Sequence, residues 1–148
     1  MKNGMTLIVR VIARFVSPMI MVFGIYIILH GHLSPGGGFP GGVIIASAFV
    51  LITLSFGKEI AYQKLKESTA SAMESVGALI FLILATLGIV FGGWFFLNFL
   101  PKGEPLRLIS AGFIPLCNIG IGLKVGGGIF AVFLTLILFR LLEKGEGD

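Results

Sequence analysis

His30-Gly31-His32-Leu33-Ser34-Pro35-Gly36-Gly37-Gly38-Phe39-Pro40-Gly41-Gly42 is the stretch on which the reading of the fold depends. It holds six glycines and two prolines in thirteen residues, and relative to alanine each glycine costs a helix about 1 kcal/mol and each proline about 3. A helix stops here and the chain turns. Long apolar runs lie on both sides, 7–29 before it and 40–56 after it. In hydrocarbon an unpaired backbone amide is too costly to face lipid, so the turn lies in water, among headgroups or against protein. We read it as the hairpin between two transmembrane helices and as closely packed backbone. Pro40 suits the first helical position, where its missing N–H would be unpaired anyway. Gly38, Gly42 and Ala46, four apart, leave a smooth stripe along which another helix can come close.

Composition sets the class. Of 148 residues 56% are hydrophobic and 12% charged, against about 25% charged in soluble domains, and the mean hydropathy is +1.04. This is an all-α integral membrane protein, read as one domain over 1–148 with spans at about 7–29, 40–56, 75–99 and 115–142. A single cysteine, Cys117, leaves no internal disulfide and no multi-thiolate metal site. The net charge of +4 comes from basic residues beside apolar spans, which indicates topology rather than nucleic-acid binding.

The first span is too long for a signal-peptide core and is expected to be retained. Arg10 and Arg14 share one face near its start, where their stems can reach headgroups. Pro18 inside the span is expected to kink it. Residues 57–75 are polar and read as a water-exposed connection with some interfacial helix. In it Ser71-Ala72-Met73-Glu74 has capping-box spacing, which makes Glu74 a helix-start residue in preference to the alternative, a role in an ion relay. In the third span Gly88 and Gly92 form a GxxxG pattern suited to close helix contact, and Trp94, Phe95 and Phe96 resemble an interfacial belt. A short outer loop at 100–112 leads to the fourth span. Eight Lys and Arg fall on the side of the termini and the middle loop, and two, Lys102 and Arg107, on the other. By the positive-inside rule both termini are cytoplasmic.

Lys124 is the sharpest single signal. It lies near the middle of the fourth span, where an ammonium must face protein, water or a partner charge. Cys117, Gly120, Lys124 and Gly128 share a face, so Lys124 should face protein. Two readings stay open: a lysine in a proton or cation path, or a static contact with an acid. No acid of this chain is expected at its depth, so a partner would come from another chain. Asn118, on a stripe with Gly122 and Gly126, can bond between helices or help coordinate a cation. Gly126-Gly127-Gly128 can mark a broken helix or a flat packing surface. His30 and His32 are too few ligands for a metal site. Gly36, Gly38 and Gly41 match G-x-G-x-x-G, but no strand precedes them and Pro40 sits inside, so the match is accidental. No nucleophilic triad or carboxylate pair is visible, and neither catalysis nor a cofactor is expected.

The run Gly31–Gly42 resembles the loop of the MnhB/MrpB subunit family, G-H-x-x-P-G-G-G-F-x-G-G, and the similarity extends over nearly the whole chain. The resemblance implies a small, non-catalytic subunit of a multisubunit Mrp-type Na+/H+ antiporter, or of the related ion-pumping modules in membrane-bound hydrogenases and sulfur-reducing complexes. It implies antiporter-like subunits as partners, with hydrogenase-like and iron-sulfur subunits in the redox-driven members, and a prokaryotic cytoplasmic membrane as the location. Pro35, Gly36, Gly37, Gly38, Phe39, Gly41 and Gly42 would then serve subunit packing, and Lys124 and Asn118 an ion path. In antiporter members the fourth span usually reads F-D-x-G, whereas this chain has Cys117-Asn118-Ile119-Gly120 with Lys124 following. The missing acid favours the hydrogenase-like branch, with a stand-alone antiporter subunit or a purely structural subunit as alternatives.

Overall fold

The computed structural model describes residues 5–57, 67–108 and 110–145. Among them run four helices and no strand: α1 (Leu7–Leu29), α2 (Gly38–Phe56), α3 (Glu67–Gly92) and α4 (Ile114–Gly145). Each contains a stretch long and apolar enough to cross a bilayer, the stretches in α3 and α4 being Ser68–Gly92 and Ile114–Ile137. The chain is an all-α, multi-pass membrane protein. The expected connection at 58–66 lies outside the described residues.

The first span falls where the sequence places it, and the other three move. Helix α2 starts at Gly38 rather than Pro40. Its first helical bond runs from Gly41 N–H to Gly37 O, at 3.1 Å. Pro40 is therefore the third helical residue and still within the first turn, whose donors have no helical acceptor in any case. Helix α3 begins at Glu67 and ends at Gly92, against an expected 75–99. At its front, polar residues continue the helix because Ala70 and Met73 pack on Phe130 and Leu134 of α4. The Ser71–Glu74 capping box is thus overturned, since both residues lie inside the helix. At its back, Gly93 (φ +79°) closes the helix with an N–H bond to Ile89 O at 2.8 Å, the left-handed glycine ending common to helices. Helix α4 runs past the expected Leu142 and stays helical through Gly126-Gly127-Gly128.

The helices pack in the order α1, α2, α4, α3, with a shorter contact between α1 and α4. Glycine sets the spacing. A β-carbon on Gly42 would lie 2.8 Å from Gly122 O and 2.9 Å from Val125 Cβ, and one on Gly38 would strike Asn118 O and Ile121. The Gly38/Gly42/Ala46 stripe of α2 therefore lies on α4, with Ala46 fully buried. The opposite side of α2 meets α1, where a β-carbon on Gly41 would lie 2.8 Å from Gly24 O. The Gly88/Gly92 pair is a correction of another kind. It packs against Trp94 and Leu97 of the chain's own returning segment rather than against another helix. That segment folds back with a bond from Phe96 N–H to Ala85 O at 3.2 Å, inside α3.

Two apolar clusters brace the ends. Ala70, Phe130 and Leu134 form one with Phe49, and Leu84, Phe113 and Cys117 form the other with Phe81 and Phe99. Asn98 ties the second to the start of α4. Its amide donates to Ala111 O at 2.9 Å and accepts from Phe113 N–H at 3.2 Å.

Gly42→Val is expected to lower stability by about 3 kcal/mol, because the obstacle is neighbouring backbone that cannot step aside. Gly57→Ala, in open space but at φ +90°, should cost only about 1 kcal/mol of left-handed strain. The midpoints of thermal unfolding in detergent would rank the two.

Candidate functional site

Helices α3 and α4 run antiparallel, Ala70 facing Gly127 and Gly77 facing Gly120. Gly77 brings the two backbones so close that a β-carbon there would sit 2.6 Å from Lys124 N. One turn earlier on the same face comes Glu74, beside Gly128. Lys124 Nζ donates to Glu74 Oε1 at 3.2 Å, an ion pair between two membrane-spanning stretches. Lys124 lies about 15 Å along α4 from Ile114 and Glu74 about 9 Å along α3 from Ser68, at 1.5 Å per residue. The pair is therefore well inside the apolar length of both helices.

This overturns the expectation that the partner of Lys124 must come from another chain. Starting the third span at Ser75 placed Glu74 in water; starting α3 at Glu67 carries it two turns into the helix. A signal was available in Ala70, Glu74 and Gly77, which sit on one helix face with small residues where α4 must approach. The pair's side chains are 51% exposed for Lys124 and 43% for Glu74 on the surface of the chain. A lone ammonium or carboxylate at this depth costs a few kcal/mol, about 2.5 to 3.5 on insertion scales, and pairing offsets part of that.

Asn118 lies elsewhere, on the face of α4 that meets the glycine hairpin. A β-carbon on Gly37 would lie 3.5 Å from its Oδ1 and one on Gly31 2.8 Å from its Nδ2. Its Nδ2 is buried and has no hydrogen-bond partner among the described residues. The structure does not bring Asn118 and Lys124 onto one stripe.

The hairpin is held by its own backbone. His30 O accepts from Leu33 N–H at 2.9 Å, Ser34 N–H at 3.0 Å and Ser34 Oγ at 3.2 Å. Gly37 enters α2 at φ +123°, a region that side chains with a β-carbon avoid. Gly37, Gly38, Gly41 and Gly42 are buried within the chain, while Pro35, Gly36 and Phe39 face outward, Phe39 being 63% exposed. His30 stacks on Tyr26, ring centroids 4.1 Å apart, and His32 Nε2 donates to Arg107 O at 3.3 Å, tying the hairpin to the 93–113 loop. Arg14 lies over the Phe56 ring, 5.9 Å from its centroid.

The arrangement resembles known proteins along most of its length. A family model described as a domain related to the MnhB subunit of Na+/H+ antiporter matches residues 8–131. An uncharacterized protein of Methanocaldococcus jannaschii is 36% identical over 146 residues, which is 94% of this chain and 55% of that protein. A Staphylococcus aureus protein bearing the name antiporter subunit mnhB2 is 34% identical over 134 residues, 87% of this chain and 92% of that protein. A chain of the membrane-bound sulfane sulfur reductase, an archaeal respiratory membrane complex, superposes with a TM-score of 0.75 at 33% identity, over 89% of this chain and 58% of that one. The chain thus spans little more than half the length of the archaeal relatives and nearly all of the staphylococcal one.

Removing one member of the ion pair strands the other. Lys124→Met alone and Glu74→Gln alone are each expected to lower stability by about 1 to 3 kcal/mol, between the exposed and buried limits for ion pairs. The double variant should recover most of that loss, and thermal unfolding of all four proteins in detergent would measure the coupling.

Proposed function

The chain belongs to the family of domains related to the MnhB subunit of Na+/H+ antiporters, and on that premise we propose that it is a small, non-catalytic membrane subunit of a multisubunit cation/proton antiporter module. The observation that carries this is the match to a staphylococcal antiporter-subunit homologue along 92% of that protein's length. We place the module in a redox-driven complex of a prokaryotic cytoplasmic membrane, a reading supported by the likeness to a chain of an archaeal respiratory complex. The staphylococcal relative favours a second reading, a subunit of a stand-alone antiporter. The bias of basic residues supports cytoplasmic termini. The whole chain serves as one MnhB-like unit. Its partners are antiporter-like subunits, together with hydrogenase-like and iron-sulfur subunits in the redox-driven case.

In this reading Lys124 lies on or beside the ion path, and the carboxylate at 3.2 Å supplies it with a proton acceptor. Asn118 offers the path a buried amide from the other face of α4. The outward residues of the hairpin, Pro35, Gly36 and Phe39, meet a neighbouring subunit, while Gly37, Gly38, Gly41 and Gly42 give the hairpin its shape.

Mass spectrometry of the proteins that copurify with a tagged copy in mild detergent tests the subunit reading. Antiporter-like subunits are expected, and their absence would overturn it. In the assembled complex the double variant Lys124→Met/Glu74→Gln separates path from scaffold. Loss of Na+- or H+-coupled transport with assembly intact is expected for a path, and normal transport would leave the pair a structural contact.

A further inference from the structure

The Glu74–Lys124 pair is not enclosed by its own chain. An ammonium has three N–H donors, and among the described residues Lys124 Nζ has one acceptor, Glu74 Oε1. Half of its side chain lies on the surface, at a depth where lipid offers no acceptor. A groove opens on each side of the pair. The first, of about 400 Å³, is lined by Ala78, Phe81, Leu82, Ala85, Phe95 and Phe96 among others and is apolar except for Lys124. The second, of about 360 Å³, is lined by Glu74, Gly128, Ala131, Val132 and Leu136 among others. They lie along α3 and α4 on either side of the ion pair, and we read them together as one trough. Ala78 and Ala85 in the first groove and Gly128 and Ala131 in the second are the small residues of the lining, and beside them a helix laid in the trough can come close.

We propose that this trough seats a transmembrane helix of a neighbouring subunit, one that presents an uncharged hydrogen-bond acceptor, a Ser, Thr, Asn or Gln side chain, to Lys124. Charge decides the chemistry of the occupant. Lys124 and Glu74 already neutralise each other, so a third full charge buried against them would be left uncompensated. A wholly apolar helix would leave the remaining donors unpaired out of reach of water. A polar, uncharged acceptor meets both conditions. The inference rests on reading the chain as one subunit of a larger assembly.

The test uses the intact complex, with a photoreactive benzophenone amino acid replacing Leu82 in the first groove or Val132 in the second, both exposed on the chain. Both positions should crosslink to the same transmembrane segment of one other subunit, with a Ser, Thr, Asn or Gln on that segment between the two attachment points. Replacing that polar residue with Ala in the partner should reduce the crosslink yield at both positions. Adducts to lipid alone, to a second copy of this chain, or to a segment whose polar group is an acid or a base would overturn the proposal while other subunits still copurify. A preparation with no other subunit at all would overturn the subunit reading, and this inference with it.

Discussion

Backbone-to-backbone approach at glycine is the constraint on which the structure depends. Apolar side chains gain little by leaving lipid for a neighbouring helix, so membrane helices associate through close packing and polar contacts instead. Helix α2 shows how completely this can be done, with Gly41 set against α1 and Gly38 and Gly42 set against α4. A methyl group at any of these three would meet neighbouring backbone within 3 Å. The hairpin adds no length of its own to relax such a clash, because three bonds to His30 O and the turn at Gly37 fix it.

The three consecutive glycines of α4 extend the principle. Gly126 faces Gly42 of α2, Gly127 faces Ala70 of α3, and Gly128 faces the Glu74 carboxylate. Such a run permits a break in a helix, yet α4 stays helical, held from both sides. The two stripes of α4 thereby divide the work. The Asn118, Gly122 and Gly126 stripe takes the hairpin and the first two helices, and the Gly120, Lys124 and Gly128 stripe takes α3. Because Gly77 lets α3 reach the backbone of Lys124, its carboxylate one turn away falls within reach of the ammonium.

How much of this was legible in the sequence depends on which force set each feature. The spans, the hairpin and the α2 stripe follow from hydropathy and glycine spacing, and α1 lies where the apolar run lies. The start of α3 did not, because residues 67–74 are polar in sequence and are kept helical by burial of Ala70 and Met73 against α4. Its end falls seven residues before the expected 99, since Trp94, Phe95 and Phe96 continue the apolar run while the backbone has already turned at Gly93. Those two boundaries governed the site. Reading Glu74 as a cap takes out of the membrane the acid that meets Lys124 among the described residues, and so points the lysine to another chain.

An ion pair is a weak source of stability in a membrane, because the desolvation of two charges consumes most of their attraction. A well-packed apolar pair between α3 and α4 would hold these helices as firmly, and the clusters at both ends already do so. The charges are therefore not needed to hold the two helices together. Their position narrows the choice: had they been needed only to register α3 against α4, they could sit between the two helices, as Gly77 and Gly120 do. Instead both side chains lean outward, half exposed, between two grooves. A charged pair displayed on the outside of a membrane protein at this depth is costly against lipid, which is the physical ground for seating a neighbouring helix over it.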